Sequence, residues 1–360
     1  MGEDMRAAIY RRGELVVGTF ADPIPEAGQV LVKTMACGIC GSDLHFCDHA
    51  QEFTSLASRA GVAAMEVDLS RDIVLGHEFC GEVMDHGPSS DSRLKPGQLV
   101  CSLPVVLGSP GARTIGYSDE YPGGFGEYMV LTEALLLPVP NGLPAALAAL
   151  TEPMAVGWHA VEIARVRPHH VPLVIGCGPV GLAVIAALKQ KQIAPIIASD
   201  LSPDRRDLAL RMGADAVVDP REDSPFLRAQ KIARPVGIGG ALSNSVLSKN
   251  QLVFECVGLP GMLRHVMDNV SEEAEIVVVG ACMQPDSIEP MMGMFKALTV
   301  KFSRTYTGEE FAEVLQMIAQ GALDVSPLVT DVIGLSDVPA TFDALRTPGA
   351  QAKVIVDPWR

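Results

Sequence analysis

An apolar run, Val171-Pro-Leu-Val-Ile175, passes directly into Gly176-Cys-Gly178-Pro179-Val180-Gly181 and then into a helix-forming stretch through Leu188. No other stretch narrows the fold as much. After a buried strand, Gly176 permits a tight turn, Gly178 lets the backbone approach a pyrophosphate, and Gly181 lets the following helix pack closely on the strand. The N-terminus of that helix, opened by Pro179 and Val180, then faces the phosphates. An ordinary strand-to-helix turn can carry the same hexapeptide, so its surroundings must decide.

They extend the pattern. Ala194-Pro-Ile-Ile-Ala-Ser-Asp200 reads as a second strand ending on an acid about 20 residues past the glycines, where a carboxylate meets the ribose of a dinucleotide. Ser202 is placed to cap a helix, with Pro203 at its first position and Gly213 at its stop. Ala216–Asp219, Leu252–Gly258 and Ile276–Gly280 supply further strands, so the chain alternates as a doubly wound parallel sheet requires. This is a Rossmann-type domain. The carboxylate of Asp200 accepts from a ribose 2′-hydroxyl and repels a 2′-phosphate, which predicts NAD over NADP. Arg205, in the first turn of the next helix, lies within reach of the same ribose and offsets part of that repulsion.

The chain has 360 residues, 48% of them hydrophobic, enough for a large core and two domains. Its net charge of -15, without a basic block, speaks against nucleic acid and anionic membranes as partners. The N-terminus carries no apolar segment of signal-peptide length, no uninterrupted apolar run approaches membrane-spanning length, and the 8 cysteines follow no disulfide framework. A reducing, cytoplasmic location is expected.

Residues 6–35 alternate as antiparallel strands and begin a β-rich first domain. It leads into Cys37-Gly-Ile-Cys40-Gly-Ser42-Asp43-Leu-His45. A C-x-x-C pair is compatible with a redox disulfide or half of a structural zinc site, but no second C-x-x-C follows. The remaining reading keeps Cys37 in the core and makes Cys40 one thiolate ligand of a catalytic metal. Downstream, His77-Glu78 ends an apolar strand. Thiolate, imidazole and an exchangeable carboxylate oxygen together leave zinc one open position, as catalysis demands. Residues 46–72 read as a polar insertion without clear period, and 221–250 as a surface excursion. Glu152, before Pro153, reads either as a helix cap or as an oxygen of the metal site.

In order along the chain, Cys40-Gly-Ser-Asp-Leu-His45, Gly76-His-Glu-x-x-Gly81, Gly123-Gly-Phe-Gly-Glu-Tyr128, Glu152-Pro, the glycine fingerprint, Asp200 and a terminal Lys353-Val-Ile-Val resemble the zinc-dependent medium-chain dehydrogenases. The stretch Glu152-Pro-Met-Ala-Val-Gly-Trp-His-Ala160 is most similar to the polyol, sorbitol and threonine branch. The resemblance implies an α/β chain with a GroES-like β-rich catalytic domain over 1–153 and 297–360, interrupted by a Rossmann domain over 154–296. It also implies zinc ligands at Cys40, His77 and Glu78, with Glu152 either a further ligand or the group holding water on the metal. Asp43 would steady the site, and Ser42, the coenzyme ribose and His45 would carry the substrate proton to solvent. No cysteine lobe accompanies Cys101 in the 108–126 loop, so one catalytic zinc and no structural zinc are expected. The long separation of Cys40 from His77 departs from the family pattern.

The resulting expectation is hydride transfer between NAD(H) and an alcohol or carbonyl compound, more fittingly a secondary alcohol or polyol, by a homodimer or homotetramer. Two rivals stand beside it. A zinc-free quinone or enoyl reductase would not need Cys40, His77 and Glu78, and a nucleotide-binding protein without turnover would not need Ser42 and His45.

Overall fold

The strand Gln29–Gly38 runs for ten residues, with burial alternating from Val30 to Ala36 as a pleated strand requires, and its length lets several partners pair along it. Glu78–His86 and Tyr128–Thr132 pair with it antiparallel, and Lys353–Val356 from the far end of the chain pairs with its last residues. Gly38 is thereby in register with Glu78 on one side and Ile355 on the other. The full sheet has seven strands. A smaller three-stranded sheet, Glu14–Phe20, Met5–Arg11 and Ile73–Val74, aims the chain at His77. Ile9, Val32, Phe46, Leu75, Phe125 and Val354 share the core beneath.

These elements belong to the first of two units in this computed structural model, which describes residues 4–108, 111–167, 170–232, 251–347, 349 and 351–360. The first unit comprises Met1–Glu152 and Phe311–Arg360; the second is Pro153–Glu310.

The region expected to be an aperiodic insertion is largely helical. A helix runs from Gly41 to Arg59, kinked at His49, and turns Phe46, Ala50 and Ala57 into the core with Phe53 partly buried beside them. That spacing is helical. Two alanines carry little hydrophobic signal, and interleaved Cys47, His49 and Glu52 mask the rest. Phe46 and Phe53 pack edge to face with ring centroids 5.3 Å apart, and Phe53 lies 5.2 Å from the ring of Tyr117.

In the second unit six parallel strands lie in the spatial order Ala216–Val218, Ile197–Ser199, Val171–Ile175, Gln251–Glu255, Glu275–Val278, Thr299–Phe302. Val171–Ile175 is buried throughout, as a central parallel strand must be. The helix Pro203–Met212 has the expected ends, Ser202 accepting from the Arg205 N–H at 3.4 Å and Gly213 at φ 118°.

The second unit extends past the expected boundary at 296. Thr299–Phe302 joins the parallel sheet through Glu275–Val278, and Leu298 and Val300 pack against its core. The strand satisfies an edge that would otherwise be open. The first-domain chain therefore resumes at Phe311. Within 221–250, Pro225–Ile232 is a helix burying Phe226 and Ala229 against the sheet, while 233–250 lies outside the described residues.

Candidate functional site

Cys40 stands at the turn between the Gln29–Gly38 strand and the Gly41–Arg59 helix. Asp43 Oδ2 accepts the Cys40 N–H at 2.9 Å, and the Asp43 N–H donates back to the Cys40 carbonyl at 3.1 Å. This reciprocal clasp fixes the first turn and points Asp43, fully buried, at His77, whose Nδ1 lies 3.2 Å from Asp43 Oδ1. Cys40, His77 and Glu78 each bring a donor atom within 4.8 Å of the others.

The electrostatics of this cluster favour a cation. Burial opposes charge on His77, yet Asp43 and then Cys40 outweigh it and lift its pKa well above the ordinary histidine value. Glu78 is wholly buried; Oε1 pairs with the ammonium of Lys353, while Oε2 has no hydrogen-bond partner in the described structure. A buried carboxylate oxygen left without a partner is costly. Zinc beside Cys40 and His77 would satisfy it, so the donor set and the orphaned oxygen both fit that ion. Cys37, by contrast, is fully buried, and burial followed by the charges of Asp43 and Glu78 pushes its thiol well up, consistent with a core role.

Two residues given no site role from the sequence complete the surroundings. Lys353 is 1% exposed and donates to the Ile39 carbonyl at 3.1 Å as well as to Glu78. Burial lowers its pKa, but Glu78 and then Cys40 raise it beyond the usual lysine value, so it stays an ammonium. Its sequence signal was a polar residue opening an apolar strand. Tyr117 donates to Ser42 Oγ at 2.8 Å, and its ring lies 5.2 Å from that of His77. Burial, then Asp43 and Cys40, raise its pKa, so it remains a phenol. Nothing local in a Gly- and Tyr-rich loop marked it.

Ser42 and His45 lie one turn apart on the same helix, both half-buried. Burial, then His49, lowers the His45 pKa. Glu152 is buried in the first turn of the helix Thr151–Ala164 and lies outside the three-residue cluster, while its charge raises the pKa values of Lys353 and Tyr117.

In the second unit the glycine loop takes the expected form. Gly176 sits at φ 90°, and a Cβ on Gly181 would come within 1.9 Å of the Gly176 carbonyl oxygen. Gly178 caps the helix Pro179–Gln190, and a Cβ there would meet nothing within 4 Å. Pro179 and Val180 form its first turn. Asp200 Oδ2 accepts the Cys177 N–H, and Oδ1 the Ser202 N–H, both at 2.8 Å. The carboxylate is thus locked onto the loop. Arg205 lies partly buried in the turn after it.

Residues 26–141 match the alcohol dehydrogenase GroES-like domain and residues 179–320 the zinc-binding dehydrogenase domain. Over 98% of its length the chain is 32% identical to (R,R)-butanediol dehydrogenase of Bacillus subtilis (strain 168), of which it covers 100%. It belongs to the zinc-dependent medium-chain dehydrogenase family. This dehydrogenase is also 28% identical to sorbitol dehydrogenase of the same organism, over 99% of this chain and 98% of that one. A Sinorhizobium meliloti 1021 protein solved bound to NADP superposes with a TM-score of 0.79 at 25% identity, covering 99% of this dehydrogenase and 100% of the other chain.

Proposed function

We propose that this dehydrogenase catalyses reversible oxidation of a secondary alcohol or polyol with NAD, using one zinc ion held by Cys40, His77 and Glu78. The observation that carries the reading is the cluster of half-buried Cys40 with buried His77 and Glu78, and its orphaned carboxylate oxygen. Butanediol and sorbitol, named for the two curated relatives, indicate the substrate class. When bound, zinc supplies Lewis-acid polarisation of the substrate oxygen and NAD supplies the hydride acceptor.

The chain's own residues hold and move the proton. Tyr117 donates to one lone pair of Ser42 Oγ, which leaves the other to accept the substrate hydroxyl proton and the Ser42 proton free to pass onward. His45 receives it as neutral imidazole; its lowered pKa keeps it neutral to more acidic pH than an ordinary histidine. Asp43 orients His77, Lys353 pairs with Glu78 Oε1 and fixes its carboxylate in place, and Glu152 is either a further ligand or holds water at the metal. Asp200 and Arg205 engage the adenosine ribose and the glycine loop the pyrophosphate.

The assembly reading is a homodimer built on the Thr299–Phe302 edge strand. Phe295 and Phe302 stand 77% and 70% exposed beside it, and an edge strand with exposed aromatics invites a second copy. The eight free cysteines suit a reducing cytoplasm, and no helix among the described residues is long and apolar enough to cross a membrane.

A panel of vicinal diols, polyols and primary alcohols with NAD+, run on protein of measured metal content, tests the reading. About one zinc per chain and fastest oxidation of secondary alcohols are expected from a single open site. Metal-free protein with full turnover would overturn it. In the same assay Ser42→Ala should lose roughly 100-fold or more in oxidation rate, whereas His45→Gln should lose less and recover with imidazole buffer. The part of the pH profile that disappears in His45→Gln should lie on the acid side of the ordinary histidine pKa.

A further inference from the structure

The strands Ile197–Ser199 and Ala216–Val218 are parallel neighbours with Ser199 in register with Val218, so Asp200 and Asp219 leave the sheet side by side. Two arginines converge there. Arg206 donates to the carbonyls of Asp200 and Leu201 at 2.8 and 3.0 Å and pairs with Asp219 Oδ2 at 3.0 Å. Arg221 donates through Nε to Asp219 Oδ1 at 2.9 Å, through Nη2 to Asp219 Oδ2, and through the same Nη2 to the Leu201 carbonyl at 2.9 Å. The clasp closes over the residue that follows Asp200. Side-chain exposure is 6% for Asp219 and 63% for Arg221, so the carboxylate is the fixed member and the outer guanidinium the movable one.

Two guanidinium groups gathered on the backbone at and just after Asp200 are the chemistry a 2′-phosphate would call for, because planar N–H forks bind phosphate oxygens in pairs. Here both are committed to one carboxylate and two carbonyls. We propose that Asp219 is a coenzyme-specificity residue: by holding Arg206 and Arg221 it withholds them from a 2′-phosphate, so rejection of NADP depends on this latch as well as on Asp200. The inference rests on the reading that Asp200 engages the ribose. Hydrogen bonds from Arg221 keep the Asp219 carboxyl far below the usual carboxylate range, so the latch is charged at neutral pH.

Direct titration of NADH and NADPH by nicotinamide fluorescence tests this without relying on turnover. The wild-type chain should bind NADH more tightly. Asp219→Asn should strengthen NADPH binding by about tenfold while NADH binding moves by less than about threefold. Adding Arg221→Leu to that variant should erase most of the gain. In the otherwise wild-type chain, Arg221→Leu alters an exposed site and should leave NADPH affinity unchanged; a clear loss there would show that Arg221 already serves the phosphate and would overturn the latch. So would folded Asp219→Asn with unaltered NADH binding and no gain for NADPH. Failure of the wild-type chain to bind either nucleotide would instead strike the coenzyme-site reading itself.

Discussion

The proposed metal cradle of the first unit and the proposed coenzyme cradle of glycines in the second address the same problem, holding a charged ligand, with opposite materials. The glycine cradle spans Gly176–Gly181 plus Asp200 and works with backbone: a left-handed glycine, a close approach and a helix N-terminus. The metal cradle works with side chains from Cys40, Asp43, His77, Glu78, Tyr117 and Lys353, brought together by sheet register. Backbone cradles tolerate changes of chemistry at most positions but not changes of volume at their glycines. Side-chain cradles are indifferent to modest volume but depend on charge, since each buried ion is stable only with its partner.

The sharpest way to break this contrast is Cys40→Ala, a small volume change that removes one donor atom. Metal content should fall from about one ion per chain to near zero and turnover should fall by about 1000-fold or more, with NADH binding intact. Retained zinc would mean the cluster is not the metal site. A paired glycine experiment sharpens the other side. Gly178→Ala should fold normally, because its Cβ has open space in the coenzyme-free chain, yet weaken NADH binding by about tenfold or more by blocking the pyrophosphate. Gly181→Ala should lower the melting temperature as well, since its Cβ would overlap the Gly176 carbonyl. Equal stability of the two variants would argue that Gly181 is not a packing residue. Lys353→Met leaves Glu78 buried without its cation, and should cost roughly 3–5 kcal/mol in the metal-free protein. Added zinc should restore part of that, read as a larger zinc-induced rise in melting temperature than in the wild type. The smallest change expected is Glu152→Gln. If Glu152 only caps its helix, about 1 kcal/mol of stability is lost and zinc affinity is untouched. The site reading expects weaker zinc binding or slower turnover with little change in melting temperature.

The two cradles also differed in how far they could be read in advance. The strand, glycine loop, Ser202 cap and Gly213 stop were legible because each depends on neighbours within a few residues, and Asp200 because it stands at the end of the strand that follows the glycine helix. Cys40, His77 and Glu78 were legible through a family resemblance, which carries the outcome of tertiary pairing within a local motif. The Gly41–Arg59 helix was missed because its buried face uses alanines, and a polar face with Cys and His at intervening positions flattened the period. The strand Thr299–Phe302 was assigned to the wrong unit for a different reason. Strand propensity says that a segment will pair but not with which edge, and here the open edge of Glu275–Val278 took it.

Sequence by itself determined the nucleotide-binding architecture and which residues were candidates for a metal cluster, because these rest on residue identity at short spacing and on a family resemblance. Tertiary structure alone decided that Lys353 would neutralise Glu78 across 275 residues of chain, that Tyr117 would donate to Ser42 across 75, and that Asp219 would gather Arg206 and Arg221 over the loop after Asp200. Strand register and helix packing bring those groups within hydrogen-bond distance, and inside a low-dielectric core the partner of a charge matters as much as the charge.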